Sequence, residues 1–313
     1  MPEQAAQTHS RGRHIDTRAL MQIRSLELRA RVVVQGFWSG LHRSPYHGFS
    51  VEFTEYRQYA PGDDPRFVDW RVFARSDRYY IKKFEDETNL RCHLLLDQSR
   101  SMTFGSLDWT KADYAHTLAA TLAYFLFQQG DAVGLLSFDE GIRDYLPARN
   151  RLGHLRQLML ALEKPASGRA TSIAKPLRRI VELVNKRGLM VLISDLLAPV
   201  EELEEQLGQL TASGHEVVVI RVLDPAEINF DFDESVIFHD AENEKDLFID
   251  PNSARQNYLR RFAEHGDAAR AVCQKLGVEY LTITTDQPLD RLLFDFLRER
   301  QRRSKNIQRH TNA

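Results

Sequence analysis

The chain predicts an α/β fold: a mostly parallel central sheet flanked by helices, with an N-terminal accessory segment in front of it. Three observations carry this expectation. Short apolar runs alternate with stretches of helical periodicity from residue 91 to the end, the pattern of strands separated by crossover helices. The runs are continuous rather than alternating, as in strands buried on both faces. Three of them stop abruptly at an aspartate, namely Asp97, Asp139 and Asp195.

Taken in order, residues 1–15 are polar and aperiodic and read as a disordered tail. Asp16 is an N-cap, and Leu20, Ile23, Leu26, Ala30 and Val33 recur at helical spacing, predicting a helix that ends near Gly36. Residues 39–88 are rich in Gly, Pro, Tyr, Arg and Asp, with short strand-like pieces at 50–53 and 79–82. A strand at 91–96 leads to a helix over 111–129, whose apolar face is Ala115, Leu118, Ala119, Leu122, Ala123 and Leu126 and whose end is marked by Gly130. Strand 132–138 returns through Gly141 to Tyr145. Helices at 154–162 and 173–185, strand 189–194, an acidic helix at 201–212 and strand 216–223 follow. After an excursion over 224–254, helix 255–276, strand 278–283 and helix 288–301 complete the pattern. The division is a tail at 1–15, an N-terminal helix and Gly/Arg/Asp-rich segment at 16–88, the α/β domain at 89–301 and a basic tail at 302–313.

Composition narrows the partners. The 313 residues carry a net charge of −2, so no global field draws nucleic acid or an anionic membrane. No apolar run approaches the ~20 residues that span a bilayer, and the polar N-terminus has no signal-peptide segment. The expectation is a soluble, cytoplasmic chain. Cys92 and Cys273 lie far apart and read as buried reduced thiols.

The run around Asp97 carries the chemistry. Asp97-Gln98-Ser99-Arg100-Ser101 places one carboxylate and two hydroxyls at alternate positions where the chain leaves its strand. Open α/β sheets bind ligands in crevices outside the carboxyl ends of their strands, and these are hard oxygen donors of the kind a Mg²⁺-like ion accepts. Asp195 is the second carboxylate, on a strand expected beside the first. The loop over 167–172 opens a helix and brings the Thr171 hydroxyl to the same edge. The candidate metal set is therefore Asp97, Ser99, Ser101, Thr171 and Asp195. Asp224 and Asp286 follow their strands closely and make the edge acidic. Singly, each residue has a structural explanation as a turn former, a helix cap or a solvated carboxylate. Their joint order, spacing and strand-end placement favours an ion.

Asp97-x-Ser99-x-Ser101 with a later Thr171 and Asp195 resembles the metal-ion-dependent adhesion site of von Willebrand factor A domains, over about residues 89–297. Many such domains carry a Gly-Gly-Thr loop where this chain has Gly168-Arg169-Ala170-Thr171, so Ser172 is an alternative to Thr171. The resemblance implies a Rossmann-like von Willebrand A fold and a bound Mg²⁺, Mn²⁺ or Ca²⁺ completed by an acidic residue from a protein ligand. Upstream, the segment 40–75, with Glu52, Glu55, Arg57, Pro61-Gly62-Asp63-Asp64, Arg66, Asp69-Trp70-Arg71 and Arg75, is similar to the signature of the bacterial domain of unknown function 58 family. That resemblance implies a MoxR-type AAA+ ATPase as partner, in complex assembly or chaperone-like work.

The function expected is a metal-dependent protein–protein interaction module and not an enzyme. The alternative is a metal-dependent hydrolase using the acidic sheet edge or Asp63 and Asp64, with Asp69 beside them. Against it, the sequence has no nucleophile elbow, no phosphate-cradling loop and no zinc-type histidine spacing. The arginines beside those acids suit a bidentate carboxylate network. His42, His47 and His93 read as structural histidines.

Overall fold

The computed structural model describes residues 14–41, 55–58, 75, 79–83, 90–166, 173–184, 186–230, 237–239, 246–248 and 251–298. The chain divides into two compact units, residues 1–40 with 90–313, and residues 41–89. In the smaller unit, β1 (Glu55–Gln58) pairs antiparallel with β2 (Tyr80–Lys83). The strand-like piece at 50–53 lies outside the described residues.

In the larger unit the strands are β3 (Arg91–Asp97), β4 (Ala132–Phe138), β5 (Ile142–Arg149), β6 (Leu189–Ser194) and β7 (Glu216–Leu223). A separate hairpin of β8 (Ile237–His239) and β9 (Asp246–Phe248) precedes β10 (Glu279–Thr284). The helices are α1 (Thr17–Met21), α2 (Leu26–Leu41), α3 (Lys111–Gln128), α4 (His154–Leu162), α5 (Ala174–Leu183) and α6 (Val200–Ala212). They continue with α7 (Pro225–Asn229), α8 (Pro251–Lys275) and α9, residues 289–298.

The six-stranded sheet has the order β10-β7-β6-β3-β4-β5, and every neighbouring pair is parallel except β4 with β5. This is the helix-flanked, mostly parallel sheet that the sequence predicts of a von Willebrand A-like domain. The chain runs outward from β3 through β4 and β5, then crosses back to lay β6 on the other side of β3. The strand order therefore reverses between β3 and β6, and the crevice outside their carboxyl ends is the natural ligand position of such a sheet. Register is parallel with Leu96 opposite Ile193, which sets Asp97 beside Ser194.

Burial follows the periodicity. Leu94, Leu95, Leu96, Leu135, Leu136, Val191, Leu192, Val219 and Ile220 are fully enclosed between the helical layers. Helix α3 begins at a capping box, where the Thr110 hydroxyl accepts from the Asp113 amide at 3.1 Å and Asp113 accepts from the Thr110 amide at 2.9 Å. Trp109 Nε1 donates to the Thr285 carbonyl at 3.1 Å and the Tyr114 hydroxyl to that of Gln287 at 2.8 Å, so the start of α3 is fastened to the segment after β10. Cys92 and Cys273 are both buried. Among the described residues, no helix is long and apolar enough to cross a membrane.

The N-terminal helix differs from its expected form in two ways. It is split at residues 22–25, and it runs through Gly36 to Leu41. Asp16 does cap it, accepting from the Arg18 amide at 3.0 Å. Gly36 is an interior residue of α2 that lies against Ile15, whose Cδ1 would be 2.6 Å from a Cβ there. The pair α1–α2 also groups with the α/β unit rather than with the segment after it. The Phe37 and Trp38 rings lie 6.0 and 5.7 Å from Phe125 of α3, and Arg29 Nη1 donates to the Thr117 hydroxyl at 3.2 Å.

The pairing of β4 with β5 depends on a missing side chain at Gly134. A Cβ there would sit 2.7 Å from the Ala148 nitrogen, 2.8 Å from the Leu146 oxygen and 2.9 Å from His93 Nδ1. Gly134→Ala is therefore expected to destabilise the protein by about 1–3 kcal/mol through overpacking. Equilibrium denaturation in urea measures the loss, and an unchanged midpoint contradicts the packing.

Candidate metal centre

β3 delivers the first carboxylate. Gln98 keeps the strand pairing for one more step, its amide donating to the Phe138 carbonyl at 2.7 Å, and the chain then turns. The Ser99 amide donates to Asp97 Oδ1 at 2.8 Å, and a 3-10 turn over Arg100–Thr103 is pinned by buried Met102. That turn brings the Ser99 and Ser101 hydroxyls within 3.0 Å of each other. The Ser99 hydroxyl also hydrogen-bonds to Asp97. Asp97, Ser99 and Ser101 are thus gathered at one place, as the alternate spacing predicts.

β6 delivers the second carboxylate. Ser194 donates its hydroxyl to Asp97 Oδ2 at 2.6 Å and accepts from the Leu196 amide at 3.0 Å. Asp195 follows, wholly buried. Leu196 takes a left-handed conformation at φ 58°, rare for a branched side chain and unfavourable by about 1 kcal/mol or more. Burial of its side chain and the Ser194 bond hold it there. The turn lets the Leu197 amide donate to Asp195 Oδ1 at 3.2 Å. From β7, buried Arg221 donates Nε to the Asp195 carbonyl at 3.1 Å. Gly266 of α8 makes room for this guanidinium, since a Cβ there would lie 2.5 Å from Arg221 Nη1.

The other oxygen of Asp195 faces a residue that the sequence reading did not single out. Lys111, the first residue of α3, is completely buried, and its Nζ donates to Asp195 Oδ2 at 2.8 Å and to Glu227 Oε1 at 2.5 Å. Burial alone lowers the pKa of this ammonium, but Asp195 and Glu227 together outweigh it and hold it above its ordinary value. Burial pushes the Glu227 carboxyl up, with Lys111 pulling it back part of the way. Glu227 is also the reciprocal partner in the capping box of α7, its Oε2 accepting from the Asp224 amide at 2.9 Å.

Asp195 and Glu227 thus share the Lys111 ammonium, with the Arg221 guanidinium behind the Asp195 carbonyl, whereas Asp97 has no cationic partner among the described residues. Burial, reinforced by the Asp195 charge, pushes its carboxyl up to about 6, against the pull of hydrogen bonds from Ser194 and Ser99. A buried site short of positive charge, lined by hard oxygens, suits a divalent cation. Octahedral Mg²⁺ holds oxygens at about 2.0–2.1 Å, which sets adjacent ligands about 3 Å apart. The Ser99–Ser101 separation matches that spacing. Among the described residues no three His, Cys, Asp or Glu side chains gather as a metal-binding group, so an ion here depends on the hydroxyls.

The remaining acids of the edge have local duties. Asp224 caps α7 and is satisfied by the Ser106 amide at 2.9 Å, the Ser106 hydroxyl at 2.5 Å and the Ala226 amide at 2.9 Å. Asp139 pairs with Arg143, and Asp286 accepts from the Thr284 hydroxyl. Thr171 and Ser172 lie outside the described residues, as do Asp63, Asp64, Asp69, His42 and His47. His93, farther back on β3, is buried, and burial, with His215 and Arg91 adding to it, pushes its pKa down to about 4.

A family model described as protein of unknown function DUF58 matches residues 55–268. The chain belongs to the DUF58 family. Uncharacterised proteins of Mycobacterium bovis and Mycobacterium tuberculosis are each 30% identical over 284 residues, 88% of this chain and 88% of theirs. Among solved structures, an aerotolerance-related membrane protein from Bacteroides fragilis is 16% identical with a TM-score of 0.45, covering 66% of this chain and 97% of its own. The conserved hypothetical protein BatB from Bacteroides thetaiotaomicron is 15% identical with a TM-score of 0.45, covering 67% of this chain and 98% of its own. The DUF58 match spans every side chain of the centre described above, from Asp97 to Glu227.

Two outcomes follow from the charge arrangement. Lys111→Met leaves Asp195 and Glu227 facing each other unpaired in a buried place, so a loss of about 3–5 kcal/mol is expected by urea denaturation; a loss within error of zero contradicts the buried ion pair. The raised pKa of Asp97 makes the metal-free fold bind a proton more tightly than the unfolded chain. Its stabilising contribution is complete below the unfolded value of 3.8 and is lost as pH rises through about 6. In chelator, Asp97→Asn should flatten this part of the stability–pH curve and be more stable than the wild type near neutral pH. Thermal melts of the two proteins across this range check the sign.

Proposed function

We propose that this DUF58 protein is a metal-dependent protein–protein interaction module that holds Mg²⁺, or Mn²⁺ or Ca²⁺ in its place, at the carboxyl edge of its sheet. Asp97, Ser99 and Ser101 are the direct oxygen donors. Asp195, whose charge is already balanced by the Lys111 ammonium, acts from behind them, and Thr171 completes the set. The supporting observation is the pair of serine hydroxyls 3.0 Å apart beside a buried carboxylate with no cationic partner among the described residues. Bound, the ion supplies a Lewis-acidic position for an acidic residue of a partner. The partner class is a MoxR-type AAA+ ATPase, met in the cytoplasm, in complex assembly or chaperone-like work. The role is binding, not turnover.

The test is thermal unfolding with and without Mg²⁺ near neutral pH. The wild type should gain stability with Mg²⁺, and neither Asp97→Asn nor Ser99→Ala/Ser101→Ala should respond. Equal shifts in all three would remove the ion from these residues. Co-purification with the ATPase, retained by the wild type and lost with Ser99→Ala/Ser101→Ala, tests the partner.

A further inference from the structure

Three of the large apolar side chains that the described residues leave exposed ride on the loops that build the metal centre. They are Phe104 after β3, Leu197 after β6 and Ile228 on α7 after β7, exposed by 37%, 40% and 38%. All three are tied to one point. Lys111 Nζ lies 5.9 Å from the centroid of the Phe104 ring. Leu197 binds through its amide to Asp195, whose other oxygen accepts from the same ammonium, and Ile228 follows Glu227, the second acceptor of that ammonium. Arg100 stands on the turn between the two serines, half-buried and with no carboxylate partner among the described residues.

Exposed apolar side chains on three segments that share one charged centre leave apolar surface in water beside it, as contact surfaces do. A partner that covers them excludes water and so strengthens the charged contact next to them. We propose that Phe104, Leu197 and Ile228, with Arg100, form a docking rim for a protein segment that presents one aspartate or glutamate between bulky apolar side chains. This rests on the metal reading of the same centre and goes beyond it by naming what flanks the acid. Charge complementarity selects the middle of the segment, since Arg100 and the ion both call for a carboxylate. The exposed apolar side chains select its sides, because polar flanks leave that surface wet.

The experiment uses the full chain and a phage-displayed library of short peptides with a fixed central aspartate, selected in Mg²⁺. Enriched peptides should carry Leu, Ile, Phe or Met beside the aspartate and bind the wild type only with Mg²⁺. Binding should weaken by about tenfold or more in Phe104→Ser/Ile228→Ser, while that variant keeps the wild-type thermal shift with Mg²⁺. Should the double variant fold poorly, Phe104→Ser and Ile228→Ser measured singly carry the same comparison. Peptides without apolar flanks, no Mg²⁺-dependent peptides, or undiminished binding to the rim variants overturns the rim and leaves the metal site standing. Loss of the Mg²⁺ shift in the wild type removes the reading beneath it.

Discussion

One buried ammonium holds the carboxyl edge of this sheet together. Lys111 sits at the start of α3, yet its acceptors come from the end of β6 and from the short helix after β7. A lone buried carboxylate is so unfavourable that it takes up a proton instead of staying charged. Lys111 gives Asp195 a counter-charge, while burial, reinforced by the Asp195 charge, raises the pKa of Asp97. The edge is thus divided into a part neutralised from within, at Asp195 and Glu227, and a part at Asp97 with no cationic partner among the described residues.

That division depends on topology. Parallel pairing of β3 with β6 at the point where strand order reverses puts Asp97 beside Ser194, and the Ser194 hydroxyl joins the two strand ends by donating to one and accepting from the other. Leu196 in its left-handed turn and Arg221 beneath the Asp195 carbonyl then orient the second carboxylate. Backbone strain next to a buried charge is a pattern of functional sites, and the surrounding bonds are what make it tolerable here.

Much of this architecture was legible in the residues. The strands announce themselves because runs such as Leu94-Leu95-Leu96 and Leu189-Met190-Val191-Leu192-Ile193 have no polar alternation, and their stops at Asp97 and just before Asp195 mark where the backbone leaves the core. The alternate serines after Asp97 converge as their spacing implies. Gly36 was misleading because a glycine that ends a helix and one that admits a neighbour's side chain look alike in one dimension. Lys111 stayed hidden because a lysine at a helix start reads as solvated. Its one signal is that a cation there opposes the helix dipole and needs a stronger anion nearby. Glu227 reads equally well as the partner of Asp224 in a capping box, which it also is, and Ser194 passes as the last residue of an apolar strand. The second set of contacts made by each is a matter of tertiary neighbours, which local sequence does not encode.

The two-sided grip of Glu227 has a thermodynamic corollary. One of its oxygens secures the amide of Asp224, the residue that caps a five-residue helix, and the other secures the ammonium behind Asp195. That helix cannot swing away without stripping a counter-charge from beneath the strand ends. By reciprocity, whatever alters the charge at those ends alters the free energy of moving the helix by the same amount.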